Sequence, residues 1–306
     1  MFERFGFEAG YIFSPSEVVN FNDLQGMKCV SVSDTASVGY SIQSTENPFF
    51  DGQQFQARRA QGREMEIVFE YDYTIPPEEA DRNLFLQIPF GLSQNSFNNP
   101  TLPENYGFRL FKVKNGVKKV ILCAIKSIEH QVYKEQPQLQ IVLSTEPYWR
   151  GSNDTVTLTR DPSKDYYPNM QAFTIETKGD IAADYVLMMK FTPKEGVSFP
   201  VSSLFKLYTI AYEVLGDNGN FDTEFIPLEL SNSSDYVFVR VGFAERQFIF
   251  EKNNRASGTL VSLYDYQLKP FPKLYPNTRT IFFDSEFWQD YCDLTVEIGY
   301  TPLYIR

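Results

Sequence analysis

Histidine is almost missing from this 306-residue chain, and His130 is the single one. Nucleophilic triads, most zinc hydrolases and most proton shuttles near neutral pH need a well-placed imidazole. Those classes are set aside at once. His130 itself sits among polar neighbours in SIEHQVYK, the setting of a surface or interface residue. Cysteine is scarce as well. Cys29, Cys123 and Cys292 are odd in number, far apart and without CxxC spacing, which argues against a disulfide framework and a zinc site. No glycine-rich phosphate loop occurs. GDNGNFDTE at 216–224 fails as a calcium loop, because the alternate positions after Asp217 are Gly219 and Phe221, which bring no side-chain oxygen. No cofactor and no metal are expected. Apolar runs such as Tyr185–Met189 fall far short of the roughly 20 residues that cross a bilayer. The first residues lack the basic and apolar regions of a signal peptide. A soluble protein made in a reducing cytosol, with no membrane partner, is the expectation.

Positive charge is also in deficit. Residues 1–150 carry 18 acids against 14 bases and residues 151–306 carry 21 against 14, so the halves contribute −4 and −7 to the net −11. Neither half offers a surface for gripping phosphates, although a surface that lets nucleic acid pass without sticking would also be acidic. What the chain has in plenty is aromatic side chains: 16% of residues, with 28 Phe and 19 Tyr. Aromatics suit a pleated, half-buried surface, and Leu- and Ala-rich helical runs are few, so the fold class is mainly β. The length allows two ordinary domains.

Along the first half, strands alternate with turn chemistry. Met27–Ser33 alternates, and the polar stretch 49–63, with Arg58, Arg59 and Arg63, reads as a long loop or arm. REMEIVFEYDY at 63–73 places Met65, Ile67, Phe69, Tyr71 and Tyr73 on one side of a period-2 pattern. Glu64, Glu66, Glu70 and Asp72 fall on the other, wet side, where like charges in a row repel. Pro76-Pro77 ends that strand and starts a short amphipathic helix to Gln87, with Ala80, Leu84 and Ile88 on one face. Tyr106–Lys114 and Lys118–Ile128 form a hairpin about Asn115-Gly116, and Leu139–Leu143 closes the half.

PYWRGSND at 147–154 reads as a boundary, giving domains 1–148 and 149–306. Beyond it, short strands recur every 10–15 residues with polar turns, the rhythm of a β-sandwich. Expected strands are 155–159, 171–176, 185–191, 236–242, 247–251, 258–263, 278–283 and 294–300.

Candidate chemistry is thin. Tyr148-Trp149-Arg150 sets an aromatic pair beside a guanidinium, which suits stacking on a sugar ring, a protein interface, or a plug at the domain hinge. Arg58, Arg59 and Arg63 suit an anion site or, more commonly, a solvated arm or subunit contact. The acidic strand is a poor acid–base pair, since carboxylates two residues apart on one wet face are not desolvated.

With these elements in order, the chain resembles the siphophage distal tail proteins. The likeness runs through Gly39-Tyr40-Ser41, the polar segment to Arg63, REMEIVFEYDY, the helix after Pro77, the hairpin from Phe108 to Ile128, and Ser144-Thr145-Glu146-Pro147-Tyr148-Trp149. In the second half it rests on Phe248–Glu251, the Gly258 turn, Phe271-Pro272-Lys273-Leu274 and the closing LTVEIGYTPLYI. Where the family carries Pro-Gly-x-Asn, this chain has Tyr275-Pro276-Asn277-Thr278.

The resemblance implies an N-terminal split β-barrel with a short helix and a C-terminal galectin-like β-sandwich. It also implies a homo-hexameric ring joining tail tube protein to the tail tip protein, in the virion. Receptor-binding or baseplate proteins dock on it, and DNA passes through without specific binding. In relatives an arm of the second half holds the receptor-binding protein, and 194–227 is where this chain has room for one. On this reading the protein is no enzyme. Glu64, Glu66, Glu70 and Asp72 face the channel, and Arg58, Arg59, Arg63, Tyr148 and Trp149 serve interfaces. Two rival classes stand beside it: a carbohydrate-binding β-sandwich of an adhesion apparatus, using Tyr148, Trp149 or Trp288, and a glycosidase with a carboxylate pair.

Overall fold

The computed structural model describes residues 3–11, 14–33, 40–46, 53–87, 106–133, 136–165, 170–195, 205–207, 210–214, 221–224, 228–230, 236–241, 247–252, 255–259, 273–284, 290 and 292–306. The chain divides into two compact units, residues 1–151 with 305–306, and residues 152–304.

In the first unit the elements run β1 (Arg4–Tyr11), β2 (Ser14–Asn20), β3 (Met27–Ser33), β4 (Tyr40–Glu46), β5 (Gln53–Ala60), β6 (Arg63–Tyr71), α1 (Pro77–Gln87), β7 (Tyr106–Lys114), β8 (Val117–Tyr133), β9 (Gln136–Thr145) and β10 (Trp149–Arg150). The antiparallel order is β2-β1-β7-β8-β9-β6-β3, with β10 added to β8 at Arg150↔Val120. The 17-residue β8 serves two half-sheets: Val117–Leu122 pairs with β7 and Cys123–Tyr133 with β9, past a bulge between Ile125 and Ser127. A bulge bends a strand and increases its twist, which lets one strand turn from one partner to the next. Among the described residues no barrel closes. The sheet is open, ending at β2 and β3.

Burial follows the period-2 pattern. Along β6, Met65, Ile67, Phe69 and Tyr71 are buried while Glu64, Glu66, Val68 and Glu70 are exposed or half-buried. The buried face sets Phe21 between Phe7 and Phe69, with Phe108 against Phe7; Phe7–Phe21 centroids are 4.9 Å apart at 74° and Phe21–Phe69 5.2 Å apart at 79°. Such edge-to-face contacts match the positive rim of one ring to the negative face of the next. Gly6 is required beside them, because a Cβ there would lie 2.3 Å from the Val19 carbonyl oxygen and 2.4 Å from the Phe111 ring.

Helix α1 starts at Pro77, carries Glu78 and Glu79 in its first turn where the helix dipole favours them, and buries Ala80 and Leu84. Two polar contacts hold it: the Tyr71 hydroxyl donates to Asp81 Oδ1 at 2.6 Å, and His130 Nε2 lies 2.8 Å from Asp81 Oδ2. The β7–β8 hairpin turns on Asn115 (φ 54°) and Gly116 (φ 79°), the paired positive angles of a type I′ turn.

One element departs from expectation. The stretch expected as a loop or arm is in large part regular, because β4 and β5 pair antiparallel from Tyr40↔Ala60 to Glu46↔Gln53, past a bulge between Gln43 and Ser44. Backbone pairing organises polar side chains that give no apolar alternation to read.

The second unit holds β11 (Asp154–Thr157), β12 (Thr159–Arg160), β13 (Met170–Thr174), β14 (Tyr185–Pro193), β15 (Phe205–Leu207), β16 (Ile210–Val214), β17 (Phe221–Glu224), β18 (Leu228–Leu230), β19 (Tyr236–Val241), β20 (Gln247–Lys252), β21 (Arg255–Thr259), β22 (Thr278–Asp284) and β23 (Cys292–Tyr300). They form one sheet in the order β11-β23-β14-β19-β20-β21 and another in the order β12-β13-β22-β16-β17, beside a β15–β18 ribbon. The expected strand 155–159 is two strands, and Leu158, 5% exposed between them, marks where the chain changes sheet. Phe173 and Phe283 meet edge to face at 5.5 Å in the core, and Val296, Ile298 and Tyr300 are the buried side of β23. The region 194–227, expected as an excursion, contributes β15, β16 and β17. Asn277 takes a φ of 63°, while the Thr278 hydroxyl and amide both donate to the Tyr275 carbonyl, at 2.7 and 3.3 Å. Asparagine is among the few residues that adopt this angle readily, which suits it to this turn.

Candidate functional site

The wet face of β6 is part of a wider polar surface. Cross-strand register sets Glu64, Glu66, Val68 and Glu70 opposite Ser144, Val142, Gln140 and Gln138 of β9, and sets Gln140 opposite Glu129 of β8. Side chains two apart on a strand share a face, so Glu64, Glu66 and Glu70 line one row of it. Their repulsion is met locally. Lys126 Nζ donates to Glu64 Oε1 from two strands away, and Gln138 Nε2 donates to Glu70 Oε1 at 2.9 Å. Lys28 of β3 stands opposite Glu70 in register, and opposite charges so placed attract. Ser33 Oγ reaches the Glu66 backbone carbonyl at 3.4 Å. The surface is rich in carboxylates and amides, with lysines among them.

Asp72 lies just past the strand that carries this face. The strand stops at Tyr71, and the Asp72 carboxylate accepts from both the Thr74 hydroxyl (2.6 Å) and the Thr74 amide (2.9 Å). Those bonds hold its pKa below the usual aspartate value. They also clamp Tyr73 at a φ of 59°, an angle that a bulky side chain rarely takes. Asp72 is a turn residue here, one position past the end of β6.

The basic and aromatic candidates separate in the same way. Arg58 and Arg59 lie on β5, opposite Ile42 and Ser41; their side chains are outside the described set. Arg63 is not on a solvated arm: it opens β6 on the buried side, 4% exposed, and its NH1 donates to the Ile305 carbonyl at 3.0 Å. Trp149 is not a stacking platform. It is fully buried, with Lys112 Nζ 4.1 Å from the ring centroid, so a cation covers its face. Tyr148 is half-buried. Arg150 forks onto Glu146 at 3.0 and 2.6 Å. Trp288 lies outside the described residues. Trp149 and Arg150, assigned to the second domain from sequence, fall in the first unit, where Arg150 pairs with Val120 of β8.

An ionic cluster unpredicted from sequence lies elsewhere in this sheet. Arg109 Nε donates to Glu8 Oε1 at 3.0 Å and its NH1 to the Gly10 carbonyl at 2.9 Å, while Lys118 Nζ donates to Glu8 Oε2. The Arg109 and Glu8 side chains are 2% and 0% exposed. A signal existed in RFGFEAGY, where one acid sits between apolar residues, yet alternation alone assigns it to a wet face. Among the described residues no three His, Cys, Asp or Glu side chains gather as metal ligands. Cys29 and Cys123 are free thiols, and burial pushes the Cys29 thiol up to about 11 despite its bond to the Ser31 carbonyl. No helix among the described residues is long and apolar enough to cross a membrane.

No protein-family model and no curated protein sequence matches the chain. Among solved structures it aligns with the SPP1 Dit (gp 19.1) protein, described as a paradigm of hub adsorption apparatus in Gram-positive infecting phages. That match has 9% identity and a TM-score of 0.52 over 97% of this chain and 98% of that one. It also aligns with the phage P2 baseplate in its activated conformation, with calcium at 9% identity and TM-score 0.42 over 99% and 98% of the two chains. With strontium the TM-score is 0.43, at 9% identity over 98% of each. At so low an identity the SPP1 match speaks for the fold alone, and it does so from end to end. The fold is shared with a phage hub protein.

Proposed function

We propose that this protein is a distal tail hub: a structural virion protein forming a sixfold ring between the tail tube and the baseplate or tail tip. The observation that carries the reading is the full-length fold match to the SPP1 hub protein, 97% of one chain on 98% of the other. It agrees with the order of elements that the sequence shares with the family. In this reading the first unit builds the ring as a split barrel. The second unit, a galectin-like sandwich, presents the docking surface for receptor-binding or baseplate proteins. Its role is mechanical and connective rather than catalytic.

The row Glu64, Glu66 and Glu70, with Glu129 and the amides of Gln138 and Gln140, is assigned to the channel wall. Support comes from its chemistry: carboxylates repel phosphates within about a Debye length, roughly 8 Å at physiological salt, so DNA slides past without sticking. Asp72 contributes charge at the rim of that surface rather than in the row. Burial of Trp149 removes one of the three sugar-stacking candidates from the carbohydrate-binding alternative.

Light scattering on the purified chain at two concentrations, alone and mixed with the tail tube protein, tests the hub. Negative-stain images accompany it. The expected species is a ring of about six copies with a central hole. A chain that stays monomeric in both conditions overturns the reading. For the channel wall, Glu66→Lys with Glu70→Lys should turn a ring that ignores double-stranded DNA into one that retains it in a salt-sensitive way. Equal indifference in both rings would place the row elsewhere.

A further inference from the structure

The first unit is not finished when the chain leaves it. Residues 1–151 form it together with residues 305–306, so the whole of 152–304 is an insertion between two parts of one fold. Departure and return meet on one strand. On departure, Arg150 pairs with Val120 of β8, and Glu146 donates its amide to the Leu122 carbonyl. On return, Lys119 Nζ donates to the Arg306 carbonyl at 2.9 Å. Lys119 and Val120 are neighbours on β8, so the two attachments sit side by side in its sequence.

The return is also anchored from the interior. Arg63 is 4% exposed and donates through NH1 to the Ile305 carbonyl at 3.0 Å, across 242 residues of sequence. A guanidinium taken out of water needs good acceptors in fixed places, and a backbone carbonyl supplied by the return segment is one. The surroundings of Arg63 leave little slack. Thr145, 1% exposed and opposite Arg63 in the β6–β9 ladder, donates its hydroxyl to the Arg63 carbonyl at 3.1 Å. A Cβ on Gly62 would lie 2.4 Å from the Thr145 carbonyl oxygen. The start of β6, the end of β9 and the return segment therefore interlock.

We propose that residues 305–306 are a structural strap of the first unit, with Arg63 as its buried post and Lys119 as its outer tie. Its consequence is an order of folding: the first unit reaches its final stability only after the chain has passed through 152–304 and returned. A nascent chain that has just completed β10 lacks the strap and holds the β6–β9 ladder less firmly.

Hydrogen exchange on the full chain, on a chain ending at Tyr304, and on Arg63→Met tests this. Amides of the ladder from Arg63 to Glu70 and from Gln138 to Thr145 should exchange on the order of tenfold faster in both variants, the loss expected for a bond from a buried charged donor. Amides of the β13–β22 ladder in the second unit should keep their rates. Lys119→Met, which removes only the outer tie, gives a milder variant that keeps the test alive if the others fail to fold. Its acceleration should be a few-fold and confined to β8 and the return segment. Unchanged β6–β9 exchange in the shortened chain overturns the strap, and so does an equal rise in both units.

Discussion

Glu8 on β1 and Glu64 on β6 each stand on a strand of the same open sheet and each meet a lysine, but only Glu64 keeps its water. Glu8 is sealed with Arg109, takes Lys118 as a second partner, and has a side chain with no exposure at all. Glu64 and its partner Lys126 are 57% and 54% exposed. The difference is one of reference state. For Glu8, losing a partner strands a charge in a medium that solvates it poorly; for Glu64, water replaces whatever is removed. The sealed cluster is therefore a point of failure for the sheet, while the exposed pair tunes a surface charge at little cost to the fold.

The hardest test of that contrast is Arg109→Met, expected to lower unfolding stability by about 3–5 kcal/mol in denaturant titration, because Glu8 remains buried with less compensation. The double variant Glu8→Leu with Arg109→Met should recover most of the loss. A double variant as weak as the single one would show that packing, not stranded charge, sets the cost. Removing the half-exposed partner by Lys118→Met should cost about 1 kcal/mol, since solvent reaches the vacated position.

A third pair, Arg160–Asp165 in the second unit, is 30% exposed on both sides and lies between the extremes. Burial pushes the Asp165 carboxyl up, but the Arg160 hydrogen bonds, the Ala172 amide and the guanidinium charge outweigh it and hold the pKa below the usual value. A carboxyl depressed on folding stabilises above its unfolded pKa, and that contribution fades as pH falls through the folded value. Asp165→Asn should therefore flatten the acid side of the stability–pH curve by less than about 1 kcal/mol. Lys126→Met should shift stability by no more than about 0.5 kcal/mol, and the same small change should vanish in high salt. Smallest of all, Thr74→Ala should raise the Asp72 pKa toward that of a free aspartate. Carboxyl-resolved NMR titration would show this, and an unmoved pKa would remove Thr74 as its cause.

Legibility in the sequence followed the strength of local pattern. REMEIVFEYDY was readable as a half-buried strand because its apolar positions keep strict alternation, and burial along β6 repeats that alternation residue by residue. The Asn115-Gly116 turn was readable because only a few residue pairs take two positive φ angles. The strand pair β4–β5 was not, since polar strands pair through backbone groups that any side chain leaves unchanged. β1 and β2 went unmarked for a related reason: RFGFEAGY interrupts its pattern with glycines, which the sheet uses for close approach and a bulge at Gly10. At the candidate site, three of the four acids were placed on one face correctly by period. Asp72 falls one residue past the end of β6, and a strand's end depends on its neighbours' pairing.

The sequence by itself determined the β class, the alternating faces, the hairpin turn, the short helix on its apolar stripe and an acid row on the wet side of β6. These are local consequences of side-chain period and backbone angle, so a few residues suffice to specify them. Only the tertiary structure decided that Trp149 and Arg63 are interior, that Glu8 has lost its water, and that residues 305–306 return to complete the first unit. Each of those depends on a partner more than 35 residues away, 37 for Trp149 with Lys112, 101 for Glu8 with Arg109 and 242 for Arg63 with Ile305. Burial is a property of what covers a side chain, and the covering group is chosen by the fold.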